Sequence, residues 1–93
     1  MKESQIESRL EEMVEAKGGL CFKFISPNTP GVPDRIVITP TGRTIYVELK
    51  TEVGSLQRIQ KWRIEEMQKR GADVRIIKGL QAAKDFVAEV FGS

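Results

Sequence analysis

Apolar residues recur at helical spacing at Ile6, Leu10, Met13 and Val14, which predicts an amphipathic helix over Gln5 to Lys17. Ser4 with Glu7 three residues later reads as a capping box, and Gly18-Gly19 ends the helix. The pattern then changes period. Leu20 to Ile25 is rich in aromatic and branched residues and reads as a strand. Ser26 to Pro33 holds three prolines and a glycine and is a loop. Arg35 to Thr39 and Thr44 to Thr51 form a hairpin around Pro40-Thr41-Gly42, a turn in which proline suits the second position and glycine the left-handed one. A second helix is expected over Ser55 to Arg70, with Leu56, Gln60, Ile64 and Met67 in one row, and Gly71 ends it. Asp73 to Ile77 is a short strand. Leu80 to Phe91 is a last amphipathic helix with Leu80, Ala83, Val87 and Val90 or Phe91 inward. The order αβββαβα predicts an α/β domain, a mixed sheet flanked by helices.

At 93 residues the chain has room for one domain, residues 1–93, with a thin core that a dimer would help to stabilise. The near balance of 15 basic and 13 acidic residues permits a nucleic-acid partner without demanding one. The sequence contains no apolar run long enough to span a bilayer, and its charged N-terminus lacks a signal-peptide pattern. A lone Cys21, most simply a buried small apolar residue, excludes an intramolecular disulfide and suits the cytoplasm. The absence of histidine excludes the Ser-His-Asp and Cys-His systems and histidine-ligated zinc. Acid–base or metal chemistry must therefore rest on Asp, Glu, Lys and oxygen ligands.

The hairpin register places such groups together. Thr39 opposite Arg43 puts Asp34 opposite Glu48, and paired residues have β-carbons about 4.5–5.5 Å apart on one face. Lys50 lies two residues beyond Glu48 and shares that face. Two close carboxylates repel each other, and a hard divalent cation such as Mg²⁺ or Mn²⁺ relieves this with oxygen ligands. The competing reading is a salt-bridge ladder on the surface. The apolar run Ile45, Tyr46 and Val47 argues for an interior strand, where unpaired charge is costly.

Pro33-Asp34 followed by Glu48-Leu49-Lys50 resembles the PD-(D/E)XK nuclease signature. Lys23-Phe24-Ile25-Ser26-Pro27, then Gly31-Val32-Pro33-Asp34-Arg35 and Gln60, is similar to the VRR-NUC branch of that superfamily, over roughly Glu7 to Val74. The resemblance implies a restriction-endonuclease-like αβββαβ core, here with an added C-terminal helix. It implies a Mg²⁺- or Mn²⁺-dependent DNA endonuclease, with Asp34, Glu48 and Glu7 as catalytic metal ligands and the Leu49 carbonyl as a further one. Lys50 is the catalytic lysine and Gln60 lies near the acidic cluster or the phosphate. By the same resemblance, small stand-alone members are homodimers that resolve branched DNA such as four-way junctions, often of phage origin, with no small-molecule cofactor.

Other readings stand beside these. Glu7 either caps its helix or joins the site. Gln60 either meets the cluster or reaches water at the margin of its stripe. By resemblance Lys23 belongs near the phosphates or the acidic site and Ser26 among the nucleic-acid contacts, and Lys23 is otherwise a solvated edge lysine. Arg35 points away from Asp34 and either binds phosphate or braces the loop. Arg58 and Lys61 form part of a basic helix that either tracks phosphates or is an ordinary solvated face. Trp62 either stacks on a base or packs in a core or subunit interface. At the level of the whole protein, the alternatives to a nuclease are a non-catalytic nucleic-acid-binding module, a nuclease subunit needing a partner, and an interaction domain with a salt-bridge network.

Overall fold

The computed structural model describes residues 1–92. Its elements are α1 (Glu3–Ala16), β1 (Leu20–Lys23), β2 (Arg35–Ile38), β3 (Thr44–Lys50), α2 (Arg58–Lys69), β4 (Val74–Lys78) and α3 (Gly79–Phe91). The order is the one the periodicity predicts. The strands form one sheet in the order β1-β2-β3-β4. The first three are mutually antiparallel and β4 runs parallel to β3. A parallel pair needs a crossover, which α2 supplies.

The hairpin register is the expected one, with Arg35 opposite Val47 and Ile38 opposite Thr44. Its turn closes through Thr39 N–H to the Arg43 carbonyl at 2.9 Å and Gly42 N–H to the Thr39 carbonyl at 2.9 Å. Gly42 takes the left-handed conformation, φ +88°, that the turn requires.

One sheet face carries the core. Cys21, Val37, Ile45, Val47, Leu49 and Ile77 pack against Ile6, Leu10 and Val14 of α1 and Ala83, Phe86 and Val87 of α3. Burial of these side chains is the main stabilising term. The opposite face carries Tyr46 and Glu48 and receives α2, whose Ile64 is buried and whose Gln60 bonds to Glu48. Flanking of the sheet is uneven, because α2 does not extend over β1. Leu20 and Phe22, paired with Ile38 and Ile36, stay half exposed on that open side.

Both leading helices begin elsewhere than the apolar pattern indicates. Gln5 Oε1 accepts the Lys2 N–H at 2.8 Å, so α1 starts at Glu3 and Ser4 lies inside its first turn. The expected Ser4–Glu7 capping box is therefore replaced by a cap from Gln5. Gln60 Oε1 accepts the Gln57 N–H at 2.9 Å in the same way, and α2 starts at Arg58. The stretch from Ser55 stays outside the helix. The β1–β2 loop is fastened at its root by Phe24 N–H to the Asp34 carbonyl at 2.7 Å. At Gly31, φ +84°, a β-carbon would lie 2.6 Å from the Ile59 carbonyl oxygen, so only glycine lets the loop lie against α2.

Candidate metal centre

The end of the hairpin away from its turn brings the acidic groups together. Asp34 leads into β2, and its Oδ1 accepts the Leu49 N–H at 3.3 Å, so the register positions its carboxylate against β3. Glu48 lies within β3 with its side chain 4% exposed. Its Oε2 accepts Gln60 Nε2 at 3.2 Å and lies 3.5 Å from Lys50 Nζ. Its Oε1 is buried with no hydrogen-bond partner among the described residues. From α1, Glu3 and Glu7 approach Asp34, in a group that does not include Glu48. One carboxylate oxygen from each of Glu3, Glu7 and Asp34 lies within 4.8 Å of the others.

Carboxylates outnumber cations here, and the pKa values of Glu48 and Asp34 are both raised. Burial, then the Asp34 charge, pushes Glu48 up to about 7 against the opposing pull of Lys50. Burial also raises Asp34; the Leu49 N–H opposes this and the Glu7 charge adds to it. A buried polar atom in a native protein ordinarily has a partner. Glu48 Oε1 has none, and the Asp34 charge beside it adds to the rise of its pKa. A hard divalent cation fits both the donor set and the excess charge. Glu7, Asp34, Glu48 and Glu3 are the side chains available to hold it.

The other sequence candidates differ in where they lie. Gln60 meets the acidic groups directly: one end of its amide caps α2 and the other donates to Glu48. The Leu49 side chain is in the core and its N–H goes to Asp34. Arg35 is engaged by α1. It faces α1, buried, with Nη2 2.8 Å from Glu7 Oε2 and Nη1 bonded to Glu11. The physical reason is strand alternation, which turns Arg35 to the helix-covered face. Lys23 is exposed on β1 opposite Arg35, and Ser26 is half-buried in the loop, accepting the Thr29 N–H at its carbonyl. Arg58 and Lys61 are exposed on the first turns of α2, flanking Gln60 in sequence. Trp62 is 51% exposed, with the Arg63 guanidinium 4.7 Å from its ring centroid.

Glu3 and Glu11 are the residues sequence reasoning missed. The signal is present, since Glu3, Glu7 and Glu11 repeat every four positions along one helix face. A helix started at Gln5 leaves Glu3 outside it.

Comparison with known proteins identifies the family. The model of the VRR-NUC domain family matches residues 1–81. The chain is 46% identical over 50 residues to "Putative nuclease p44" of Acyrthosiphon pisum secondary endosymbiont phage 1, a match covering 54% of each protein. The chain thus spans about half the length of that curated relative. A solved structure titled "VRR_NUC domain" superposes with a TM-score of 0.87 at 29% identity, covering 95% of this chain and 96% of that one. A second, titled "VRR_NUC domain protein", gives 0.70 at 20% identity over 96% and 87%, a likeness of fold. The chain belongs to the VRR-NUC domain family. Among the described residues no helix is long and apolar enough to cross a membrane.

Proposed function

We propose that this protein is a divalent-metal-dependent DNA endonuclease that hydrolyses phosphodiester bonds. The observation that carries the reading is Glu48. It is a buried carboxylate with one unpartnered oxygen, set beside Asp34 and within reach of Lys50 and Gln60. Family membership and the name of the phage relative support the same class.

Glu7, Asp34 and Glu48 hold the cation, with Glu3 at hand and the Leu49 carbonyl as a further ligand. Bound Mg²⁺ or Mn²⁺ polarises a phosphoryl oxygen and lowers the pKa of a coordinated water. Lys50 holds the attacking water or steadies the charge that develops on the phosphoryl group. Gln60 fixes the Glu48 carboxylate by its hydrogen bond. Exposed Lys23, Arg58 and Lys61, with Ser26 in the loop, offer contacts to the DNA backbone, and phosphate contacts position a protein without reading sequence.

The finer reading is a homodimer acting on branched DNA, working in the cytoplasm. The open side of the sheet, with Leu20 and Phe22 half exposed, supports a partner surface. Two sites related by a twofold axis match the near-twofold symmetry of a four-way junction.

A labelled four-way junction and a matched linear duplex, each in EDTA, Mg²⁺ and Mn²⁺, test the proposal with Glu48→Ala as control. Metal-dependent cutting of the junction that the variant loses is the expected result. Equal cutting of both DNAs removes the junction preference and keeps the hydrolase. Binding without cutting in any metal overturns the hydrolase in favour of a binding module or a subunit that needs a partner.

A further inference from the structure

Arg35 is a buried cation that the proposed hydrolysis leaves without a task. It follows Asp34 in the chain, yet its side chain lies on the α1 face, only 6% exposed. Its two terminal nitrogens engage Glu7 and Glu11, one helical turn apart. Two like charges at that spacing repel. A planar guanidinium can hold both in fixed positions, where an ammonium acts as a single compact charge. Burial alone would lower the Arg35 pKa, but the Glu7 and Glu11 charges outweigh it and hold the cation firmly protonated. Arg35 Nε is buried without a partner among the described residues, so the two carboxylates set the orientation of the guanidinium.

Glu7 is also a member of the cluster with Glu3 and Asp34. Its carboxylate therefore meets both the Arg35 cation, at 2.8 Å, and the acidic group, within 4.8 Å. Without that cation, the repulsion of Glu3 and Asp34 would favour rotamers that carry the Glu7 carboxylate away into water. We propose that Arg35 is a positioning residue of the metal centre, clamping Glu7 toward Asp34, with Glu11 as the outer anchor of the clamp. The inference rests on the metal-dependent reading of this site. Arg35 touches neither metal nor DNA in this assignment and acts through Glu7.

The test is calorimetric Mn²⁺ binding to the purified protein without DNA, joined to the Mn²⁺ half-saturation of cleavage. Arg35→Lys should weaken Mn²⁺ binding about tenfold, the scale of losing an outer partner of a metal ligand. It should raise the half-saturating Mn²⁺ while largely keeping kcat at saturating metal. Glu11→Gln should shift both in the same direction by less. Glu11 is 39% exposed, so this second variant keeps the test valid if Arg35→Lys folds poorly. In a Glu7→Gln background, Glu11→Gln should add no further shift, because the coupling runs through Glu7. A lower melting temperature with unchanged Mn²⁺ affinity in both variants would overturn the clamp and leave a structural brace. A Glu11→Gln shift that persists in full without Glu7 would overturn it as well. Wild-type protein that binds no Mn²⁺ would remove the metal reading and this inference together, whereas binding that the variants leave intact removes this inference alone.

Discussion

At the turn end of the hairpin, Arg43 donates to Asp73 at 2.7 Å, and Arg75 bonds to both Asp73 and Glu89. Two carboxylates meet two guanidinium groups. The hydrogen bond from Arg75 above all, joined by one from Arg43, holds Asp73 below the usual carboxylate range against the effect of burial. At the other end, four carboxylates, Glu3, Glu7, Asp34 and Glu48, meet Lys50 and an Arg35 already shared with Glu11. There the pKa values of Asp34 and Glu48 rise, chiefly through burial, and a buried oxygen is left over. The same strands thus carry a satisfied ionic network and an unsatisfied one. Local imbalance, rather than the mere presence of charge, marks the functional end, since ordinary ion pairs also perturb titration.

The sharpest way to separate the two ends is Glu48→Gln. It keeps the shape of the side chain and removes the charge. Loss of a metal ligand withdraws several kcal/mol of transition-state stabilisation, so cleavage should fall about 10³-fold. Thermal stability in EDTA at pH 8 should rise, because a costly buried charge has gone. A quantitative cleavage assay beside a melting curve reads both. A variant that loses stability and keeps activity would reverse the assignment of the two ends.

The two ends should also respond oppositely to pH in the metal-free protein. An unfolded Glu48 carboxyl releases its proton near 4.5 and the folded one near 7. Between those values the native state holds the extra proton, so stability falls as pH rises, by about 3 kcal/mol across the window. Asp34, also raised, adds in the same direction. Asp73 is lowered, so its contribution is present above about 3.8 and is lost as pH falls through its folded value. Denaturant titrations in EDTA from pH 4 to 8 measure the slope. Added Mn²⁺ should flatten or reverse it above pH 6, because a cation takes the place of the proton.

Gln60 ties the acidic end to α2, and Gln60→Leu should raise the half-saturating Mn²⁺ about tenfold by freeing the Glu48 carboxylate. The lost cap on α2 should cost about 1 kcal/mol. Metal-dependent cleavage rates and denaturant midpoints separate the two effects. A midpoint shift with no change in metal dependence would confine Gln60 to capping.

Positions fixed by near neighbours in the chain are the ones the sequence makes legible. The turn Pro40-Thr41-Gly42 sets the register through local dihedral preferences, and the register alone brings Asp34 against β3 beside Glu48. Gln60 stands out as an amide in an apolar row. Arg35 is legible halfway. Alternation gives its face, but its partners depend on where α1 lies, and that follows from core packing between distant segments. Glu3 stays hidden because a glutamine cap, rather than the Ser4 box, starts its helix. Trp62 is open between stacking and packing on spacing alone, and its exposure excludes the core.

The smallest effect tests the satisfied end. Asp73→Asn keeps the shape and removes the charge that Arg43 and Arg75 share. These groups are partly exposed, so solvent screening limits the loss to about 1 kcal/mol, and high salt should shrink it further. Cleavage at saturating Mn²⁺ should stay within about twofold of wild type, because Asp73 bonds to Arg43 and Arg75 and to no member of the acidic end. The two substitutions then form a crossed pair: Glu48→Gln loses activity and gains stability, and Asp73→Asn loses stability and keeps activity. A fall in cleavage with Asp73→Asn as large as with Glu48→Gln would mean that the two ends of β3 act as one unit, and that charge balance does not distinguish them.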